Sequence, residues 1–173
     1  MKLWTVRRFG FVLRVNFSRE FSQVQDLALN SREPQGGGLF SVLDDYLKLE
    51  FLIDYWYDEG MGMASLILFK FEEDDWAELE NSCSARSLEW RIRCAHILDL
   101  VDHEISTKIL IEFLHSDAGD LVVAAADSLR SKGMTCLPLN RIEALKRLSA
   151  EGSPPVRLMI EKLLSQLSRP DEA

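Results

Sequence analysis

Apolar residues near the start of the chain recur with a period of two. Phe9, Phe11, Leu13, Val15 and Phe17 alternate with the residues between them, which predicts a strand over 9–17. A short run at 65–71, rich in Leu, Ile and Phe, offers a second strand able to pair with it, although the same run also fits a buried helix. Between these, Ser18 can cap a short helix through Asn30 with Phe21, Val24, Leu27 and Ala28 on one face. Residues 31–38 then break the pattern with Pro34 and three consecutive glycines, Gly36, Gly37 and Gly38. They read as a flexible joint, with 1–38 a basic N-terminal segment and 39–173 a helical domain.

From Leu39 the period changes. Leu39, Val42, Tyr46, Leu49, Leu52, Ile53 and Trp56 share one broad face at 100° per residue, which predicts a single helix to about Glu59, ended by Gly60 and Gly62. Asp44, Asp54, Asp58 and Glu59 fall on the opposite side, interleaved with Phe51 and Tyr55. Either those two rings pack on neighbouring helices within a solvated acidic rim, or they are aromatic anchors of an interface ringed by charge. Glu72, Glu73, Asp74 and Asp75 next precede a helix from Trp76 to Cys83, at the end of the helix where the macrodipole favours carboxylates.

Three later segments align without gaps: 90–98, 121–129 and 156–164. Each opens on a large apolar residue (Trp90, Leu121, Val156). Positions four and five further on are Cys94/Ala95, Ala125/Ala126 and Ile160/Glu161, and position eight is Leu98, Leu129 or Leu164. Small residues at the fourth and fifth positions let a helix approach its neighbour closely, while the first and last lie two turns apart on one face. Partner helices are expected at 76–83, 105–115 and 139–150, joined by turns carrying Gly119, Gly152, Pro154 and Pro155.

The pattern resembles the second helix of a HEAT repeat, which runs Asp-x-x-Val-Arg-x-x-Ala-Ala-x-Ala-Leu. The second copy, from Asp117 to Leu129, fits best, with Val122 where Arg is usual. The third keeps Val156 and Arg157 but replaces the small pair, as a terminal capping repeat does. The expected fold is therefore mostly α: a short HEAT-like α-solenoid of helical hairpins, with a minor β or irregular N-terminal segment.

The formal net charge of -8 argues against a nucleic-acid partner, which needs clustered Lys and Arg. Residues 1–40 carry six Lys/Arg against three Asp/Glu, residues 41–80 two against twelve, and residues 81–173 twelve against thirteen. Nearly all the acidity thus sits in one block. The three cysteines, Cys83, Cys94 and Cys136, have no metal-knuckle or disulfide-framework spacing. No stretch has the roughly 18 apolar residues needed to span a bilayer. These features suggest a cytoplasmic protein that engages no membrane.

Little in the chain suggests chemistry. His96, Asp99 and His103 are spaced to face one side of a helix, but spacing alone is weak support for a metal site. His103 and Glu104 resemble one His-Glu pair of HEAT-repeat iron hydroxylases, whose chemistry needs several such pairs; this chain has a single one. Neither an enzyme nor a cofactor is expected, and Trp76 and Trp90 read as core anchors.

Taken together, the acidic-aromatic helix, the acids ahead of Trp76 and the helical hairpins resemble the small all-helical immunity proteins that bacteria encode beside polymorphic or contact-dependent toxins. The resemblance spans about 39–165. It implies an inhibitor that binds a cognate toxin domain, a basic one such as a nuclease, through Asp44, Asp54, Tyr55, Asp58, Glu59, Glu73, Asp74 and Asp75. The carboxylates would pair with Lys or Arg, and Tyr55 would be a buried anchor. A general HEAT-like scaffold or adaptor using its inner helices is the alternative reading, and a metal-dependent HEAT-repeat enzyme a more remote one.

Overall fold

The structure, a computed structural model, describes residues 5–8, 11–14, 38–137 and 139–167, and it is mostly helical. Strands β1 (Thr5–Arg8) and β2 (Phe11–Arg14) form an antiparallel pair, with Thr5 opposite Arg14 and Arg8 opposite Phe11. β2 falls within the expected strand, but its partner is β1. Residues 65–68, the core of the other candidate strand, are helical and buried. A run apolar on every side suits a helix enclosed by its neighbours as well as it suits a strand. The helix expected over 18–30 and the joint at 31–37 lie outside the described residues. The chain divides into two compact units, Met1–Ala85 and Arg86–Ala173.

In the first unit, helix α1 (Leu39–Lys48) packs against α2 and α3. α2 is the unbroken run of Ile53–Tyr55, a π-helical turn Trp56–Gly60, and Met61–Leu68; α3 is Glu73–Ser82, extended by a 3-10 turn Cys83–Ala85. The single helix expected from Leu39 to Glu59 is thus two helices, broken at Leu49, whose backbone is extended. No Gly or Pro causes the break. Phe51 turns inward and places its ring 5.2 Å from Tyr46, 5.7 Å from Tyr55 and 5.4 Å from Trp56, and this cluster closes the loop. The break also resets the helical phase. Phe40, Leu43 and Leu47 form the buried stripe of α1, while Leu49, Leu52 and Ile53, expected on the buried face, are exposed.

Gly60 does not end a helix as its position suggested. It is buried inside α2 beneath the Trp56 ring, where an added Cβ would lie 2.8 Å from Trp56 Cε3. The wider π turn places Tyr57, Asp58 and Glu59 outward between the two inward residues Trp56 and Gly60. Gly60→Ala is expected to lower stability by about 1–3 kcal/mol through overpacking. Gly62→Ala, where nothing lies within 4 Å, is expected to be neutral or to stabilise by up to about 1 kcal/mol through its helix propensity. Urea unfolding of the two variants checks both signs.

The second unit contains α4 (Leu88–Leu98), α5 (Glu104–Phe113), α6 (Gly119–Ser131), α7 (Leu139–Glu151) and α8 (Pro154–Leu167). α6 is central: α4, α5 and α8 all pack on it, and α7 packs on α8. Its buried residues follow the aligned segments closely. The opening residues Trp90, Leu121 and Val156 are buried, as are Cys94, Ala125 and Ile160 at the fourth position. At the fifth, Ala95 and Ala126 are buried, whereas Glu161 of the last copy is exposed. The seventh position, Ile97, Ser128 and Leu163, is buried in all three as well. Ser128 is the polar member of that row, and its hydroxyl donates to the Ala95 carbonyl at 2.8 Å, joining α6 to α4 across a seam of small residues. The first expected hairpin, 76–83 with 90–98, has its helices α3 and α4 in different units.

Candidate partner-binding surface

The eight residues singled out from the sequence do not form one surface. Asp75 is 7% exposed and serves the fold. It closes a capping box at the start of α3, where its Oδ2 accepts from the Glu72 amide at 3.1 Å and the Glu72 side chain accepts from the Asp75 amide. Its other oxygen, Oδ1, accepts from the amide of Phe40 in the first turn of α1 at 2.9 Å. α1 has no side-chain cap of its own: its N-cap is Gly38, where a Cβ would sit 2.5 Å from that oxygen. The last glycine of the triplet is therefore the gap through which one carboxylate caps two helices. Asp44, also 7% exposed, lies on the inner face of α1 and pairs with Lys48 one turn on, at 2.7 Å. The outward role expected of Asp44 and Asp75 is thus corrected, because both carboxylates are enclosed and engaged within the unit.

Asp54, Asp58, Glu59, Glu73 and Asp74 are exposed. α1 holds them in two groups. Asp54, Tyr55, Asp58 and Glu59 belong to the start of α2, of which Tyr55 and Glu59 act on Tyr46: burial first, then the neighbouring Tyr55 and Glu59, hold the Tyr46 hydroxyl well above the usual tyrosine range. Glu73 and Asp74 directly precede Asp75, whose carboxylate meets Phe40 at the other end of α1, six residues from Tyr46 along the helix or about 9 Å of rise. Tyr55 is 43% exposed and stacks at 15° on Phe51, so one side of its ring is fixed and the rest faces outward. This is a pre-ordered aromatic ring between acids, and its geometry comes from the Phe51 cluster.

Pattern reading missed the apolar part of this surface. Leu52 and Ile53 are 81% and 75% exposed, and Leu49 and Tyr57 are each about half exposed. Leu49, Leu52 and Ile53, expected on the buried face, are turned outward by the break at Leu49.

Two residues at repeat ends were also not anticipated. The Lys132 ammonium, just past α6, donates to the carbonyls of Leu98 and Val101 and to Ser106 Oγ, so it satisfies the end of the preceding copy. Burial pushes its pKa below the usual lysine range, against the opposing pull of Asp102 and Asp99. Gln166, near the end of α8, does the same for α6, donating to the carbonyls of Arg130 at 3.3 Å and Met134 at 2.8 Å. The second and third copies thus each close the C-terminal end of the one before.

The His96, Asp99 and His103 spacing does not make a helical ligand set. α4 ends at Leu98, and His103 is the N-cap of α5, its Nδ1 accepting from the Ile105 amide. Among the described residues, no group of three or more His, Cys, Asp or Glu side chains is placed to hold a metal ion. No described helix is long and apolar enough to cross a membrane. No family model, no curated protein and no solved structure matches the chain.

Proposed function

We propose that this chain is a protein-binding inhibitor that docks a basic partner domain through the start of α2, with Tyr55 as anchor and Asp54, Asp58 and Glu59 as its ionic ring. The observation that carries this reading is the half-exposed Tyr55, stacked on Phe51 at 5.7 Å within a segment bearing outward carboxylates. A ring already ordered before binding loses little rotamer entropy on contact, which is how aromatic hot spots gain affinity. Charge of one sign over residues 41–80 also speeds encounter with an opposite charge. Glu73 and Asp74 form a second acidic patch, useful to a partner broad enough to reach past α1.

The resemblance to immunity proteins gives the partner as a cognate toxin domain. The interlocked α4, α6 and α8 fit a short HEAT-like solenoid, a form suited to a rigid scaffold. The decisive experiment is charge reversal at Asp54 and Asp58, with binding measured by calorimetry against a candidate toxin domain taken from a neighbouring gene. Affinity is expected to fall by about 10- to 1000-fold, with the loss shrinking as salt rises and the far-UV circular dichroism unchanged. Unchanged affinity would place the interface on the repeat helices, as the adaptor reading requires.

A further inference from the structure

Exposed apolar side chains this close together need an explanation. Leu49, Leu52, Ile53 and Tyr57 fall within nine residues, all exposed, in a unit where Phe40, Leu43, Leu47, Leu66, Ile67 and Leu68 are among the described residues that build the core. Ile53 and Tyr57 are four apart and share one side of α2; Asp54 and Asp58 are also four apart and run beside them. Glu50 and Glu59 close the two ends of the stretch. Residues 49–59 contain four acidic residues and no Lys or Arg.

Contiguous exposed apolar surface bordered by charge marks a docking site, and the charge selects what docks. An anionic bilayer would set its phosphates against Glu50, Asp54, Asp58 and Glu59. A second copy, meeting this patch with its own, would set the same four carboxylates against each other. Both arrangements desolvate like charges together. A segment carrying apolar residues along one side and Lys or Arg at its margins satisfies both halves of the patch at once.

We infer that the Leu49–Tyr57 patch receives a cationic amphipathic segment of the partner protein, with Leu52 and Ile53 filling its apolar side. The inference rests on the acidic docking face proposed above and adds a component that salt does not screen. Ion pairs at this rim steer and orient, and they weaken as the screening length falls to about 4–5 Å near 0.5 M salt. The apolar contacts persist under the same conditions.

The test uses the full chain and two synthetic peptides of equal positive charge, one an amphipathic Leu/Lys helix former and the other Lys with Gly and Ser. The Leu/Lys peptide is expected to bind at least about tenfold more tightly, and this gap is expected to survive 0.5 M NaCl. Leu52→Ser with Ile53→Ser should close the gap, and circular dichroism should be unaffected because both side chains are exposed. Equal binding of the two peptides, or a gap insensitive to the double substitution, overturns the inference. If charge reversal at Asp54 and Asp58 then still abolishes binding of both peptides, the acidic reading survives without the apolar one. If charge reversal changes nothing, the acidic reading falls and the cationic partner with it. A photo-crosslinker at position 52 supplies the second check. Capture of the Leu/Lys peptide supports the assignment, whereas crosslinks to residues 1–37 or to a second copy of the chain overturn it.

Discussion

Replacing Trp90 by alanine is expected to cost about 3–5 kcal/mol, the largest loss of any single side chain in the second unit. Trp90 opens the first aligned segment, is 1% exposed, and is the bulkiest of the fully enclosed side chains. The Arg86 guanidinium lies over its ring, 6.0 Å from the centroid. Truncation removes both the transferred apolar area and the packing around it, and helices pinned to α6 cannot collapse into the space. Trp90→Phe should cost less than half as much. It keeps an aromatic ring, and the Trp90 Nε1 hydrogen that it deletes meets no acceptor among the described residues, so no hydrogen bond is lost. Urea unfolding followed by far-UV circular dichroism measures both. Equal losses would mean that the indole nitrogen does bind a partner, such as an ordered water.

Asp75→Ala is expected to cost about 2–4 kcal/mol, a large effect for a residue at the edge of a helix. The reason is its double duty. One oxygen satisfies the Glu72 amide at the start of α3, and the other satisfies the buried Phe40 amide of α1. Alanine leaves both donors without their carboxylate acceptor. Asp75→Asn retains one acceptor oxygen and should lose roughly half as much, because an amide group can cap only one of the two helices. Asp74→Ala, one residue earlier and exposed, is expected to change stability by no more than about 0.5 kcal/mol. Equal effects at 74 and 75 would show that the first-turn charge matters and the clasp does not. Asp75→Ala reports on the first unit and Trp90→Ala on the second.

Acids ahead of Trp76 can be read from the sequence as capping groups, because a run of carboxylates before an apolar helix has a local use. Which of them faces inward is not local information. It depends on α1 presenting an uncapped first turn and on Gly38 leaving room beside it. The same distinction explains the patch at Leu49–Tyr57. Two stripes in residues 39–49 satisfy a 3.6-residue period, Leu39, Val42 and Tyr46 on one and Phe40, Leu43 and Leu47 on the other, so periodicity alone does not choose between them. Packing against α2 and α3 buries the second, and the inward turn of Phe51 then ends α1 where no helix breaker stands.

By itself, the sequence determined the mostly helical class and the spacing of the three aligned helices. It also determined the small residues at their seam and the confinement of acidity to one block. Those properties are periodic or compositional, and a window of ten or twenty residues contains them. The tertiary structure alone decided that Asp44 and Asp75 are enclosed, that Gly60 seats Trp56, that Lys132 and Gln166 close the preceding helices, and that Leu52 and Ile53 face outward. Each of these depends on a residue from another turn, loop or helix filling a particular space, and a side chain's exposure follows from what packs against it more than from its own hydrophobicity.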